Sequence, residues 1–184
     1  MMRVFLTGCA GFIGFHLSRR LLEQGAQVHG FDGVTDYYDP ALKRARLDIL
    51  RGFDGFSMTE AMLEDQPALM RAVRDSAPEI IVHLAAQVGV RHSLENPRSY
   101  LESNVTGSFN LLEAARENHV RHLLLASSSS VYGANAELPC METDKSDRPL
   151  SYYAATKVSV ESMAHAYAHL HVIPTTVFRF LDLP

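Results

Sequence analysis

Two kinds of apolar pattern alternate along the chain. Short runs of adjacent apolar residues are followed, time after time, by longer stretches with apolar positions every three or four residues. "RVFLTG" is the first run, ending on Gly8, and "FIGFHLSRRLLEQG" has the helical spacing, with Gly25 as its stop. "QVHGFD" then predicts a second strand, "DPALKRARLDIL" a charged helix, "GFSM" a weak third strand and "QPALMRAVRDSAP" a helix. "EIIVHLAA" predicts a buried strand, "SYLESNVTGSFNLLEAAREN" a long helix and "HLLLASSSS" a further strand. A loop carrying "ELPCMETDKSDRP" leads to a helix expected from about Ser151 to His171, and "TTVFRF" closes as a strand. Strands alternating with helices predict an α/β fold whose parallel sheet is covered on both faces. Right-handed crossovers make such a sheet doubly wound, with its ligand crevice at the carboxyl ends of the strands.

Composition narrows the class. The 184 residues are 47% hydrophobic and 21% charged, as in a soluble globular domain, with no repeat, low-complexity tract or evident linker. A net charge of −4 gives no general attraction to nucleic acid or to an anionic membrane. No apolar run reaches the roughly 18 residues of a bilayer span. "MMRVFLTG" has no signal-peptide pattern, and Cys9 and Cys140 read as free thiols, so a cytoplasmic protein is expected. His165 and His169 share a helix face, but no third ligand has matching spacing. With His171 they read as a polar helix face, and no metal site is expected.

Candidate chemistry starts at "TGCAGFIG", which sets Gly8, Gly11 and Gly14 between the first strand and the first helix, with Phe12 and Ile13 inside the spacing. The first glycine permits a tight turn, the second lets backbone approach a pyrophosphate, and the third allows close helix–sheet packing. Asp32 ends the second strand, where a carboxylate binds the adenosine ribose hydroxyls of a dinucleotide. No arginine follows at once to hold a 2′-phosphate, which favours NAD over NADP. Cys9, within the turn, reads as a small apolar filler.

"SYYAATK" supplies a second constellation. Positions i and i+4 share a helix face, which pairs Tyr153 with Lys157 and turns Tyr152 away. A nearby cation favours phenolate, and a tyrosine tuned toward neutrality serves as general base. The partner hydroxyl is expected at the end of the preceding strand, where "LLLASSSSVYG" offers Ser127, Ser128, Ser129 and Ser130.

The glycine spacing together with Tyr153-x-x-x-Lys157 resembles the short-chain dehydrogenase/reductase superfamily, and "TGCAGFIG" looks like its extended branch of sugar-nucleotide epimerases and dehydratases. Likeness to the UDP-galactose 4-epimerase group implies Ser128 as the catalytic hydroxyl, beside Ser129 as a substrate contact. Dehydratases of that branch carry Thr-Asp-Glu there; the serines favour simple epimerisation. "DGVTDYYDPALKRARLDIL", "HLAAQVGVRHSLENPRSYLESNVTG", "ASSSSVYGAN" and "YYAATKVSVESMAHAYAHL" resemble bacterial UDP-glucuronate 4-epimerases. That resemblance covers nearly the whole chain to about Phe180. It implies NAD-dependent inversion at C4 of a UDP-sugar, UDP-glucuronate to UDP-galacturonate, through a 4-keto intermediate. It also implies that Leu63, Leu84, Ala85, Ala86 and Ala126 line the cofactor and that Asn104 supports the site. Arg91 either lies near an anionic substrate or is a solvated loop arginine. Two copies are implied to pair through a four-helix bundle. Leu111, Leu112, Ala115, Val158 and Met163 then form an exposed apolar face, or else ordinary core.

The chain departs from that family in three places. Gly33 replaces an asparagine, Met62-Leu63 replaces an Asp-Ile pair, and "RFLDLP" replaces the run into a substrate lobe, with Asp182 where a small polar residue meets the sugar. The expectation is one Rossmann-like NAD-binding domain over residues 1–184 without its C-terminal substrate domain. An NAD-binding piece without turnover, or a dehydratase or reductase of the same superfamily, are the alternatives.

Overall fold

The computed structural model describes residues 1–181; Asp182, singled out in the sequence, lies outside the described residues. Six strands form one parallel sheet: β1 (Arg3–Thr7), β2 (Gln27–Asp32), β3 (Phe56–Glu60), β4 (Ile80–His83), β5 (His122–Ser128) and β6 (Thr175–Phe180). Their spatial order is β3-β2-β1-β4-β5-β6, so the chain winds outward from β1 to β3, returns to the centre, and winds out the other way. The reversal falls between β1 and β4, where a doubly wound sheet opens its crevice.

The long helices are α1 (Phe12–Glu23), α2 (Pro40–Arg51), α3 (Gln66–Ser76), α6 (Gly107–Glu117) and α7 (Tyr152–His171), with two single turns α4 (His92–Glu95) and α5 (Pro97–Tyr100) between β4 and α6. Local chemistry starts them where the sequence predicts. Asp39 and Asp65 accept backbone N–H groups at the heads of α2 and α3, each of which has a proline in its first turn, and Ser151 Oγ accepts from Ala154 N–H at the head of α7.

Period-two alternation splits the strands between two cores. Phe5, Phe31, Ile81, Leu123 and Leu125 pack on α3, α6 and α7, whereas Val4, Leu6, Val28 and Val82 pack on α1 and α2. Leu111, Leu112 and Ala115 are wholly buried in the first cluster, because α6 lies on α3 and the sheet; they are core, not an exposed pairing face. Val158 and Met163 are half-buried.

Two details differ from the predicted elements. The expected long helix keeps a continuous path from Pro97 to Glu117, but Leu101–Thr106 widens into π-helical turns. The serine run does not stay extended: Ser127 and Ser128 end β5, and Ser129–Asn135 coils into 3-10 turns.

Arg179 on β6 fastens the long loop before α7. Its guanidinium donates to Glu161 on α7 at 2.8 and 3.1 Å, to the carbonyls of Glu142 and Asp144, and to Ser146 Oγ, and lies 4.9 Å over the Tyr132 ring. Both members of the ion pair are less than one-fifth exposed. Removing one partner strands the other charge, so Arg179→Ala is expected to cost about 3 kcal/mol in urea unfolding.

Candidate functional site

The site begins as a backbone problem. The glycine bend must pass between the end of β2 and the loop after β4, and little space is left. Gly8 takes φ +76, its N–H donates to Phe31 O at 2.8 Å, and a Cβ there would stand 2.8 Å from Ala85 N. A Cβ on Gly14 would overlap the Gly8 carbonyl. The bend therefore presents bare peptide at the head of α1, the arrangement that suits a pyrophosphate.

Asp32 holds this bend. One carboxylate oxygen accepts Ala10 N–H at 2.9 Å and the other accepts Val34 N–H at 2.8 Å. Each oxygen keeps a lone-pair direction, so the acid can accept from ribose hydroxyls while fixing the loop. Sequence spacing gave no sign that Asp32 also fixes the loop.

Two cations near Asp32 were not legible as site residues. Lys43 on α2 donates to Thr35 O at 2.7 Å and Thr35 Oγ1 at 3.1 Å and sits 4.5 Å over the Tyr38 ring. Burial lowers its pKa, against the pull of Asp32 and Asp36. Arg46 donates to Ala10 O and Tyr38 Oη, both at 3.1 Å. Both line the cleft, reached one and two helical turns into α2, and the signal for them was the charged face of that helix.

The cleft encloses about 490 Å³. Of the predicted cofactor residues, its wall contains Gly8, Gly11, Phe12, Ile13, Gly14, Asp32, Leu63, Leu84, Ala85, Ala86 and Ala126. Asn104, Tyr153 and Lys157 stand behind or beyond that wall, as do Ser128, Ser129 and Arg91. Arg91 is exposed on the turn before α4.

A buried polar chain sets the floor of the cleft. Thr7 Oγ1 accepts the N–H groups of Leu84 and Ala85 at 3.2 and 3.1 Å, and lies 2.8 Å from His83 Nδ1. Its single proton therefore goes to Nδ1, which leaves the imidazole proton on Nε2, 2.9 Å from Ser108 Oγ. Burial first, and Lys157 second, push the His83 pKa down to about 3, so the ring stays neutral. Nothing in the strand pattern distinguished Thr7 or His83 from ordinary strand residues.

A second chain positions the tyrosine. Asn104, in the π-helical stretch, accepts Gln87 N–H at 2.7 Å and donates to Gln87 O at 3.0 Å and to Thr156 Oγ1 at 3.0 Å. Thr156 donates in turn to the Tyr153 carbonyl at 2.8 Å. Widened turns often mark functional positions, and here they deliver a buried amide to α7. The Tyr100 ring packs edge-on to Tyr153 with centroids 6.2 Å apart, its hydroxyl donating to Val88 O and Gly89 O at 2.6 Å.

Lys157 is buried at the end of the cleft, where Nζ donates to Ala126 O at 2.9 Å and stands 6.0 Å from the Tyr153 ring centre. Burial lowers its pKa to about 8, with Glu161 opposing. Tyr152 is 58% exposed, whereas Tyr153 is half-buried, as the helix-face argument requires. Among the serines, Ser127 is buried on the face of Leu123 and Leu125, while Ser128 is half-buried at the strand end. Ser128 Oγ accepts Ser130 N–H and lies 3.2 Å from Ser130 Oγ. Cys9 is buried and its thiol pKa is pushed up by that burial and by Asp32, which keeps it an inert filler. Among the described residues no group of three His, Cys, Asp or Glu side chains has metal-binding geometry, and no helix is long and apolar enough to cross a membrane.

Residues 4–183 match the family described as NAD dependent epimerase/dehydratase. Among curated proteins, the chain is 55% identical over 182 residues to a probable UDP-glucuronate 4-epimerase of Rhizobium meliloti (strain 1021), covering 99% of this chain and 53% of that protein. It is 47% identical over 184 residues to UDP-glucuronate 4-epimerase 6 of Arabidopsis thaliana, covering 99% and 40%. Among solved structures, a UDP-glucuronic acid 4-epimerase from Bacillus cereus, in complex with UDP-glucuronic acid and NAD, superposes with a TM-score of 0.89 at 30% identity, over 97% of this chain and 56% of that one. The chain thus spans about half the length of the relatives it matches.

The buried imidazole carries a pH signature. Unfolded His83 binds a proton below about 6.5, whereas the folded ring refuses it until about 3. The unfolded state therefore holds the extra proton across that window, and stability is full above 6.5 and declines as pH falls through it. His83→Gln is expected to flatten the fall in melting temperature between pH 6.5 and 4.5, read by circular dichroism, even if it lowers stability at pH 7.

Proposed function

The chain belongs to the NAD dependent epimerase/dehydratase family, and on that basis we propose that its site inverts C4 of a UDP-sugar, UDP-glucuronate to UDP-galacturonate. The cofactor is NAD, and the cleft fits it: bare peptide at Gly8 and Gly14 where any Cβ would collide, and a carboxylate with open lone pairs at Asp32. The observation that carries the reaction is the buried Lys157 ammonium, held by Ala126 O beside the Tyr153 ring at the end of that cleft.

In this reading Asp32 holds the adenosine ribose and the Gly8–Gly14 bend holds the pyrophosphate. NAD held there would supply the hydride acceptor and donor that oxidation and re-reduction at C4 require, through a 4-keto sugar that turns within the site. Tyr153 Oη takes the proton of the C4 hydroxyl and later gives it back. Lys157, charged below about pH 8, favours the phenolate that this requires. Ser128 donates a hydrogen bond to the reacting oxygen, Ser129 contacts the sugar, and Arg91 lies on the side from which an anionic sugar enters. Asn104 keeps Tyr153 in place through Thr156. The serines at 128–130 offer no carboxylate for loss of water, which separates this reading from a dehydratase.

One observation favours a second reading, binding without turnover. The enclosed volume stops at Ala126 and Gln87, and Tyr153, Ser128 and Arg91 lie outside its wall, so the described residues enclose the dinucleotide side alone. A substrate domain beyond this chain is proposed to close the sugar side, and the outer faces of α6 and α7, with Phe109 and Leu170 exposed, to pair two copies.

Incubation with NAD and UDP-glucuronate, followed by chromatography, separates the readings. UDP-galacturonate supports epimerisation; retained NAD without product supports binding alone; a 4-keto-6-deoxy product supports a dehydratase. Tyr153→Phe is expected to lower turnover about 10²–10⁴-fold with NAD affinity unchanged, and Tyr152→Phe to change neither. Equal losses from both would remove the assignment. Turnover is also expected to fall as pH rises past about 8, where Lys157 loses its charge.

A further inference from the structure

With the pyrophosphate at the glycine bend and the ribose at Asp32, the base of the dinucleotide has one place left, over the end of β3 next to β2. Ala61, Met62 and Leu63 form that wall, and Gly33 faces them from the end of β2. A Cβ on Gly33 would overlap the Met62 sulfur and lie 3.5 Å from Met62 Cγ and 3.6 Å from Ala61 O. The thioether thus lies flat on bare backbone at position 33, and the two residues are one fitted unit. Any side chain at 33 requires the thioether to shift.

The chemistry of this wall is one-sided. Adenine differs from purine by a 6-amino group, a hydrogen-bond donor. Ala61, Met62, Leu63 and Gly33 bring no side-chain oxygen or nitrogen to accept from it. Elsewhere on the cleft wall Lys43 and Arg46 are donors only, Thr35 Oγ1 and Tyr38 Oη accept from them, and Tyr37, Gln87 and Ser103 come from segments other than residues 61–63. The lone pairs left on Asp32 are those that the ribose takes in this reading, and Glu64, the nearest acid along the segment, is not part of the wall. What Met62 does offer is a polarisable sulfur, partly exposed in the cleft, suited to a flat aromatic face.

We infer that Gly33 and Met62 form a base platform that holds the dinucleotide by apolar and sulfur–ring contact, without reading the 6-amino group. This rests on the NAD reading of the cleft and concerns specificity within it. The described chain is titrated calorimetrically with NAD and with the NAD analogue bearing unsubstituted purine in place of adenine. The two dissociation constants are expected to agree within about twofold, since no side-chain hydrogen bond distinguishes them. Met62→Asp adds an acceptor at the wall and is expected to create a preference for NAD of about tenfold, the scale of a hydrogen bond to a charged group. Gly33→Val, which displaces the thioether, is expected to weaken both ligands by the same factor.

A preference for NAD of about tenfold in the unaltered chain overturns the proposal. So does a Met62→Asp chain of native melting behaviour that still binds both alike. Failure of either dinucleotide to bind at all removes the cofactor reading itself and the platform with it, a result distinct from a changed ratio.

Discussion

An ammonium group deep in a protein is costly, and Lys157 is the place where this fold accepts that cost. Its charge leaves water for the peptide carbonyl of Ala126, and burial lowers its affinity for the proton. Helix α7 lies against β5 in the register that makes this contact. The same register fixes Tyr153 over the end of the cleft, and Thr156, one residue before the lysine, reaches back to Asn104. One cation thus sets the depth of a helix, and the helix sets the position of the phenol.

Around that point the structure avoids further charge. The groups under the cleft floor are neutral and fully paired: a threonine, an imidazole fixed as one tautomer, and a serine. A charged histidine so close to Lys157 would compound the cost, and burial prevents it. Among the described residues of the cleft wall, the charged side chains are Asp32, Lys43 and Arg46, at its outer end. The gradient from neutral floor to ionic rim matches a ligand with charged phosphates and a hydride-carrying end that works best away from water.

Much of this was legible in residue order, for physical reasons that can be named. The strands announced themselves because a doubly covered parallel strand must be apolar on both sides, and the glycines because backbone had to pass backbone. Tyr153 could be told from its neighbour by helix geometry alone. Lys43, Arg46, Thr7 and His83 could not, because each owes its role to partners that only the tertiary fold supplies. The fate of Leu111, Leu112 and Ala115 was undetermined for a similar reason: an apolar helix face looks the same whether it meets a sheet or another molecule. The widened turns at Leu101–Thr106 left no trace in a pattern that is helical throughout.

The order of strands has a kinetic consequence. The first three can pair as soon as about sixty residues exist, yet the cleft has only one wall until β4 inserts beside β1. Thr7 waits for Ala85, 78 positions downstream, and contacts of that separation form slowly. A dinucleotide can be captured only after this closure, so its arrival would time-stamp the last half of assembly and then hold it shut by mass action.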